Sequence, residues 1–133
     1  DQCTSLHLAS HRGEHDCARL LLMHGAEVDD RDSEGWTPLQ MAVWKGHTTV
    51  ASLLINCGAD IEARDNKQCT ALHFASLTGE HVDCAKLLLL HGAEVDARDD
   101  AQYTPLLRAA DPFNRRRAAL IELLMGWLAE FLL

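Results

Sequence analysis

The chain has 133 residues, 47% of them apolar, 5% aromatic and 24% charged, with a formal charge of −8. That length and apolar content support one domain around one continuous core, and the acidic balance disfavours nucleic acid as a ligand. No run of about 18 uncharged apolar residues is present and the first residues have no leader pattern, so neither a membrane span nor secretion is expected. Asp1 in place of Met, with an abbreviated first turn, is what a piece of a longer protein would show.

Thr4, Thr37, Thr70 and Thr104 stand 33, 33 and 34 residues apart, and the segment after each one recurs: T-S-L-H-L-A-S, T-P-L-Q-M-A-V, T-A-L-H-F-A-S and T-P-L-L-R-A-A. Each Thr is a helix N-cap, with Pro tolerated directly after it at Pro38 and Pro105. Gln40 at the third helical position completes a capping box, and His7 and His73 stand at the same place. The first helix of each unit runs to about Gly13, Gly46 and Gly79, residues suited to a helix end. A second helix carries Leu20-Leu21-Leu22, Leu53-Leu54-Ile55 or Leu87-Leu88-Leu89 and stops at Gly25, Gly58 or Gly92. In this reading Leu20, Leu54 and Leu88 occupy equivalent places in successive layers. Val82 is a one-residue insertion ahead of the third such helix, which puts its first turn in question. The Asp of each Arg-Asp pair, Asp32, Asp65 and Asp99, holds a turn through an Asx-type bond.

A period of 33 residues means a stack of one supersecondary unit, each too small to fold alone. T-P-L-H-x-A at this period resembles the ankyrin repeat, over Asp1 to about Ala110. Departures are Ser5 and Ala71 for Pro, Gln40 and Leu107 for His, and Gln2 for the turn Gly present at Gly35. The resemblance implies an all-α solenoid of helix-turn-helix units with β-hairpin fingers. Residues 1–133 form one domain, with repeats at about 1–31, 32–64, 65–98 and a divergent 99–133. It also implies a protein–protein interaction module without catalysis, cofactor or metal. The partner is gripped by the fingers and the exposed face of the first helices, which together form a concave groove.

Carried over position by position, the partner-facing sites form three rows. Arg31, Arg64 and Arg98 precede the turn Asp; Cys3, Trp36, Cys69 and Tyr103 precede each Thr; His11, Trp44, Leu77 and Asp111 stand seven residues after it, with Lys45 next to Trp44. Trp36, Trp44 and Lys45, extended by Leu77 and Tyr103, make an anchor strip of the residue types that dominate interfaces. The alternative is that each Trp packs over its own finger or the neighbouring helix. Windows 27–34, 60–67 and 94–101 hold twelve of the 20 acidic residues against four basic ones, an excess of eight. Acidic fingers favour a partner with a basic surface, or serve solubility alone.

Five cysteines follow the repeat, Cys17 with Cys84 and Cys3 with Cys69. Repeats two apart are separated by a whole layer, whereas a disulfide needs Cα atoms within about 7 Å. All five therefore read as reduced thiols of an intracellular, cytoplasmic or nuclear protein. Cys3-x-x-x-His7 and Cys69-x-x-x-His73 have loose metal spacing, but the His is the repeat's own first-helix residue. Enzyme chemistry has little support: no Gly-rich phosphate loop, nucleophile elbow or triad lies outside repeat positions.

After Ala110 the pattern fails, and a helix is expected from about Arg115 to Leu133 as a divergent cap. After its Arg115–Arg117 run, Glu122, Gly126 and Glu130 form a single narrow polar stripe, and the remainder is mostly apolar. Such a helix supports a second functional reading: an oligomerisation element, possible as a homodimer, built on Trp127, Leu128, Phe131 and Leu132. A different partner helix is the other occupant, while a membrane surface is disfavoured because the stripe is acidic.

Overall fold

The computed structural model describes residues 2–111 and 118–132. Eight helices alternate in two layers: α1 (Ser5–Arg12), α3 (Pro38–Lys45), α5 (Ala71–Thr78) and α7 (Pro105–Ala109) in one, α2 (His15–Met23), α4 (Thr48–Asn56), α6 (Val82–Leu90) and α8 (Ala118–Leu132) in the other. Each helix packs against its partner in the unit and against the same helix of the next unit.

The helix starts are local chemistry. The amide of His7 donates to Thr4 Oγ1 and the amide of Gln40 to Thr37 Oγ1, each over 3.3 Å. In return the Thr4 amide donates to His7 Nδ1, the Thr37 amide to Gln40 Oε1 and the Thr70 amide to His73 Nδ1. Thr104 caps α7, but Leu107 has no polar atom to reach back. The first three first helices end on left-handed Gly13, Gly46 and Gly79; α7 ends after five residues at right-handed Ala110. Pro112, two residues on, disfavours helical backbone at Asp111.

The core repeats with the sequence. Leu6, Leu39 and Leu72 are buried two residues after Thr4, Thr37 and Thr70, and Ala9, Ala42, Ala75 and Ala109 follow in all four units. In the second layer Ala18, Ala51 and Ala85 are sealed between helices, too small to hold them apart. Each buried Leu stabilises the stack by about 1.5–3 kcal/mol relative to exposure. The Val82 insertion is absorbed in the loop: α6 begins at Val82 with Cys84 at its third position, as Cys17 is in α2.

Two expectations need correction, and a third lies outside the described residues. Leu20 is not the counterpart of Leu54 and Leu88. Counted from the helix start, that is Leu21, while Leu20 matches Leu53 and Leu87 and is 49% exposed. No strand occurs among the described residues, so the fingers are turns and not β-hairpins. Each is closed by two backbone bonds, from the Asp32 amide to the Trp36 carbonyl and the Gly35 amide to the Asp32 carbonyl, with the same pair at Asp65 and Asp99, too few for a ladder. Helix α8 is described from Ala118, so the expected start at Arg115–Arg117 and the terminal Leu133 lie outside the described residues. Within it, Leu120 and Leu124 are buried, Ile121, Leu123 and Trp127 pack on the core, and Phe131 is 72% exposed.

Candidate partner-binding groove

The turn Asp residues behave as their spacing predicts. Asp32 Oδ1 accepts the amides of Glu34 and Trp36, each at 2.9 Å. Asp65 Oδ1 accepts from Lys67 and Cys69, and Asp99 Oδ1 from Ala101 and Tyr103. Each capping side chain then reaches the next turn. His7 Nε2 bonds the Trp36 carbonyl at 2.8 Å, Gln40 Nε2 the Ala63 and Cys69 carbonyls, and His73 Nε2 the Tyr103 carbonyl at 2.9 Å. With both ring nitrogens engaged in this way, His7 and His73 are structural crosslinks. Burial lowers the pKa of His73 below the usual imidazole value.

The carbonyls of Trp36, Cys69 and Tyr103, just before three of the Thr residues, are thus clamped, and the Trp36 ring reaches the third repeat. Trp36 meets Trp44 edge to face, with ring centroids 5.2 Å apart at 86°, and Phe74 at 4.4 Å. Lys45 Nζ lies 4.4 Å from the Trp44 ring, and His11 closes the row 6.2 Å from Trp44. Burial and then Lys45 lower the pKa of His11. Trp36 thus packs over its neighbours as the alternative reading expects, while staying half-buried and lining open space.

That space is a groove of about 580 Å³ between the second and third repeats. Trp36, Phe74 and Leu77 supply its apolar wall, Glu34 and Lys67 its rim, Asp65 and Cys69 its floor, and Arg108 its far end. Burial, then Asp65, pushes the Cys69 thiol up to about 11, so it is a protonated, unreactive surface at neutral pH. Tyr103 stands one repeat on, half-exposed, with the Arg108 guanidinium 4.6 Å from its ring. Arg108 also grips Asp99, whose carboxyl burial would raise but whose bonds to Arg108 hold below the usual range.

The expected strip is only partly contiguous. Trp36, Trp44 and Lys45 meet directly and Leu77 shares the groove, whereas Tyr103 connects through Arg108 and, by its carbonyl, through His73. The arginine row is spent largely on the scaffold: Arg31 donates to the Arg64 carbonyl, Arg64 to those of Arg98 and Gln68, and Arg98 to that of Gln102. Sequence reasoning missed Phe74 and Arg108. A signal existed, because the position four after each Thr reads Leu8, Met41, Phe74 and Arg108 beside otherwise recurring residues.

On α8, Trp127 and Phe131 flank a second cleft of about 440 Å³ with Leu89 and the Gly92–Asp96 loop. Leu128 is half-buried on the same helix, and the side chain of Leu132 lies outside the described residues. All five cysteines are unpaired, Cys3, Cys17 and Cys57 at the surface. Among the described residues no helix is long and apolar enough to cross a membrane, and no group of three His, Cys, Asp or Glu could hold a metal ion.

Residues 1–65 match the family of ankyrin repeats (3 copies), and residues 46–89 and 79–124 match that of ankyrin repeats (many copies). Human ankyrin repeat domain-containing protein 13B is 54% identical over 37 residues, 28% of this chain and 6% of its own length. The zebrafish (Danio rerio) ankyrin repeat domain-containing protein 13C is 50% identical over 36 residues, 27% of this chain and 7% of that protein. Potassium channel AKT1 of Oryza sativa subsp. indica is 50% identical over 38 residues, 29% of this chain and 4% of the channel. The matches thus cover about one repeat and a small fraction of each curated relative. Ankyrin repeats are generally non-catalytic protein–protein interaction modules, and the chain belongs to the ankyrin-repeat family.

Proposed function

We propose that the chain holds a partner protein in the groove between the second and third repeats, without catalysis or cofactor. The observation that carries this reading is the ring cluster of Trp36, Trp44 and Phe74, which lines the groove through Trp36 and Phe74 beside Leu77. Lys45 and Tyr103 extend the surface, and Arg31, Arg64 and Arg98 hold the fingers that wall it. The acidic excess of the fingers favours a partner with a basic surface and disfavours nucleic acid. Five unpaired thiols support a reducing, intracellular setting, cytoplasmic or nuclear. A photo-crosslinking amino acid at position 44, compared with one at Met23 on the second-helix layer, tests the reading in cell extract. Partner adducts at 44 and not at 23 are expected; adducts at 23 alone contradict it.

The exposed Phe131 beside its cleft favours a second reading, self-association through Trp127, Leu128, Phe131 and Leu132. Light scattering at tens of micromolar separates the two readings. A dimer that Phe131→Glu converts to monomer supports the second; a monomeric wild type removes it.

A further inference from the structure

The fourth repeat answers its turn aspartate with an arginine of its own. Asp99 Oδ1 serves the turn amides, while Oδ2 accepts Arg108 Nε at 2.8 Å and also Nη2. The guanidinium carbon lies over the Tyr103 ring, 4.6 Å from its centroid. The third repeat builds the same turn and omits that arginine. Asp65 Oδ1 accepts from Lys67 and Cys69 at 2.9 and 2.8 Å, but the residue four after Thr70 is Phe74. Asp65 Oδ2 has no hydrogen-bonding partner among the described residues, although the residue is only 3% exposed and lines the groove.

A nearly buried carboxylate with one oxygen open to a groove is a strong acceptor, because a charge removed from bulk water gains most from a charged donor. Beside it stand the aromatic walls of Trp36 and Phe74, in contact with each other. The rim carries Glu34, and the positive charge of Arg108 at the far end is already held by Asp99. Lys67 adds a cation beside Glu34, at an exposed finger tip and against the acidic excess of the three fingers.

We propose that the groove takes an arginine side chain of the partner, its guanidinium on Asp65 Oδ2 and its stem along Trp36 and Phe74. It would reproduce from outside what Arg108 does one repeat further on. Arginine is favoured over lysine because a planar fork can place two donors at one carboxylate while stacking on an aromatic face. The inference rests on the groove being the partner site.

The test selects binders from a random dodecapeptide phage library on the full chain and measures them against three variants. Asp65→Asn keeps an oxygen for the Lys67 and Cys69 amides and removes the charge. Phe74→Arg supplies the missing cation internally, and Trp36→Ala removes an apolar wall. Arginine-containing binders are expected, weakened about tenfold or more by Asp65→Asn, the range for hydrogen bonds to a charged group. Replacing the peptide arginine by citrulline should weaken binding similarly, and the two losses should not add. Phe74→Arg should abolish binding by filling the site. Binders that need Trp36 but lack arginine and ignore Asp65→Asn overturn this inference and leave the groove reading standing. Binders indifferent to all three variants, or no binders at all, overturn both.

Discussion

The second and third repeats differ from the fourth in how their first helices are anchored. Gln40 and His73 each complete a capping box and then bond a carbonyl of the next turn, so one side chain starts a helix and joins two layers. The fourth repeat has Leu107 there, a first helix of five residues instead of eight, and Ala110 in place of glycine. Its second helix runs to 15 residues and carries Met125 and Phe131, large apolar side chains that the stack leaves exposed. The difference teaches that this fold is held by polar joints as well as leucines, and that a repeat lacking the joint loses the regularity of its first helix.

Breaking a joint should have the largest effect. His73→Ala strands the Thr70 amide and the Tyr103 carbonyl and empties a buried site, so a loss of about 3 kcal/mol is expected in urea unfolding. Leu107→Ala, at the half-exposed counterpart in α7, should cost under about 1 kcal/mol. If the two cost the same, the distinction between internal and terminal repeats fails.

Next is the helix end. Gly46 has φ 78°, and an added Cβ would run into the His81 ring of the third repeat. Gly46→Ala should therefore cost about 2 kcal/mol or more, while Ala110→Gly should change stability by no more than about 1 kcal/mol. The turn itself offers a gain. Gln68 and Gln102 hold φ of 61° and 67° where the second repeat has Gly35. Gln68→Gly should raise stability by about 0.5–1 kcal/mol, measured as a higher urea midpoint.

The smallest effect is a pH dependence that separates the third repeat from the fourth. The folded-state pKa of His73 is lowered by burial, so the unfolded chain binds more protons than the folded one as the pH falls. Stability is fully present above the unfolded value, about 6.5, and declines below it. His11 contributes in the same direction. Asp99 is also lowered, but its stabilisation is present above about 3.9 and is lost only as acid reaches its folded pKa. Between pH 7 and 5 the third repeat should therefore weaken while the Asp99–Arg108 pair holds. His73→Gln, which borrows the solution used at Gln40, should remove most of that slope.

Much of the fold was legible because it is local. The Thr caps, the reciprocal Gln40 and His73, the Asx turns and the glycine helix ends each depend on residues within a few positions. Their recurrence then gives the stack. The rest depends on which neighbour is present. Leu20 and Leu21 read alike in a Leu-Leu-Leu run, and only the helix start decides which faces inward. Arg64 reads as a binding residue until the next finger places the Arg98 carbonyl within reach. Phe74 is a core residue, 3% exposed, and only the structure shows its ring beside Trp36 of the preceding repeat at the groove wall. Asp65, legible as a turn former, gives no sign in sequence that its second oxygen is unused. Only the fourth repeat, with Arg108, reveals what that oxygen can accept.

The most direct test of recognition by the groove is hydrogen exchange of the full chain with and without a selected dodecapeptide. Slowed exchange is predicted in the Glu34–Trp36 and Asp65–Thr78 segments, with α2 and α4 unchanged. Protection confined to α2, α4 or α8, with those two segments unaltered, would contradict it.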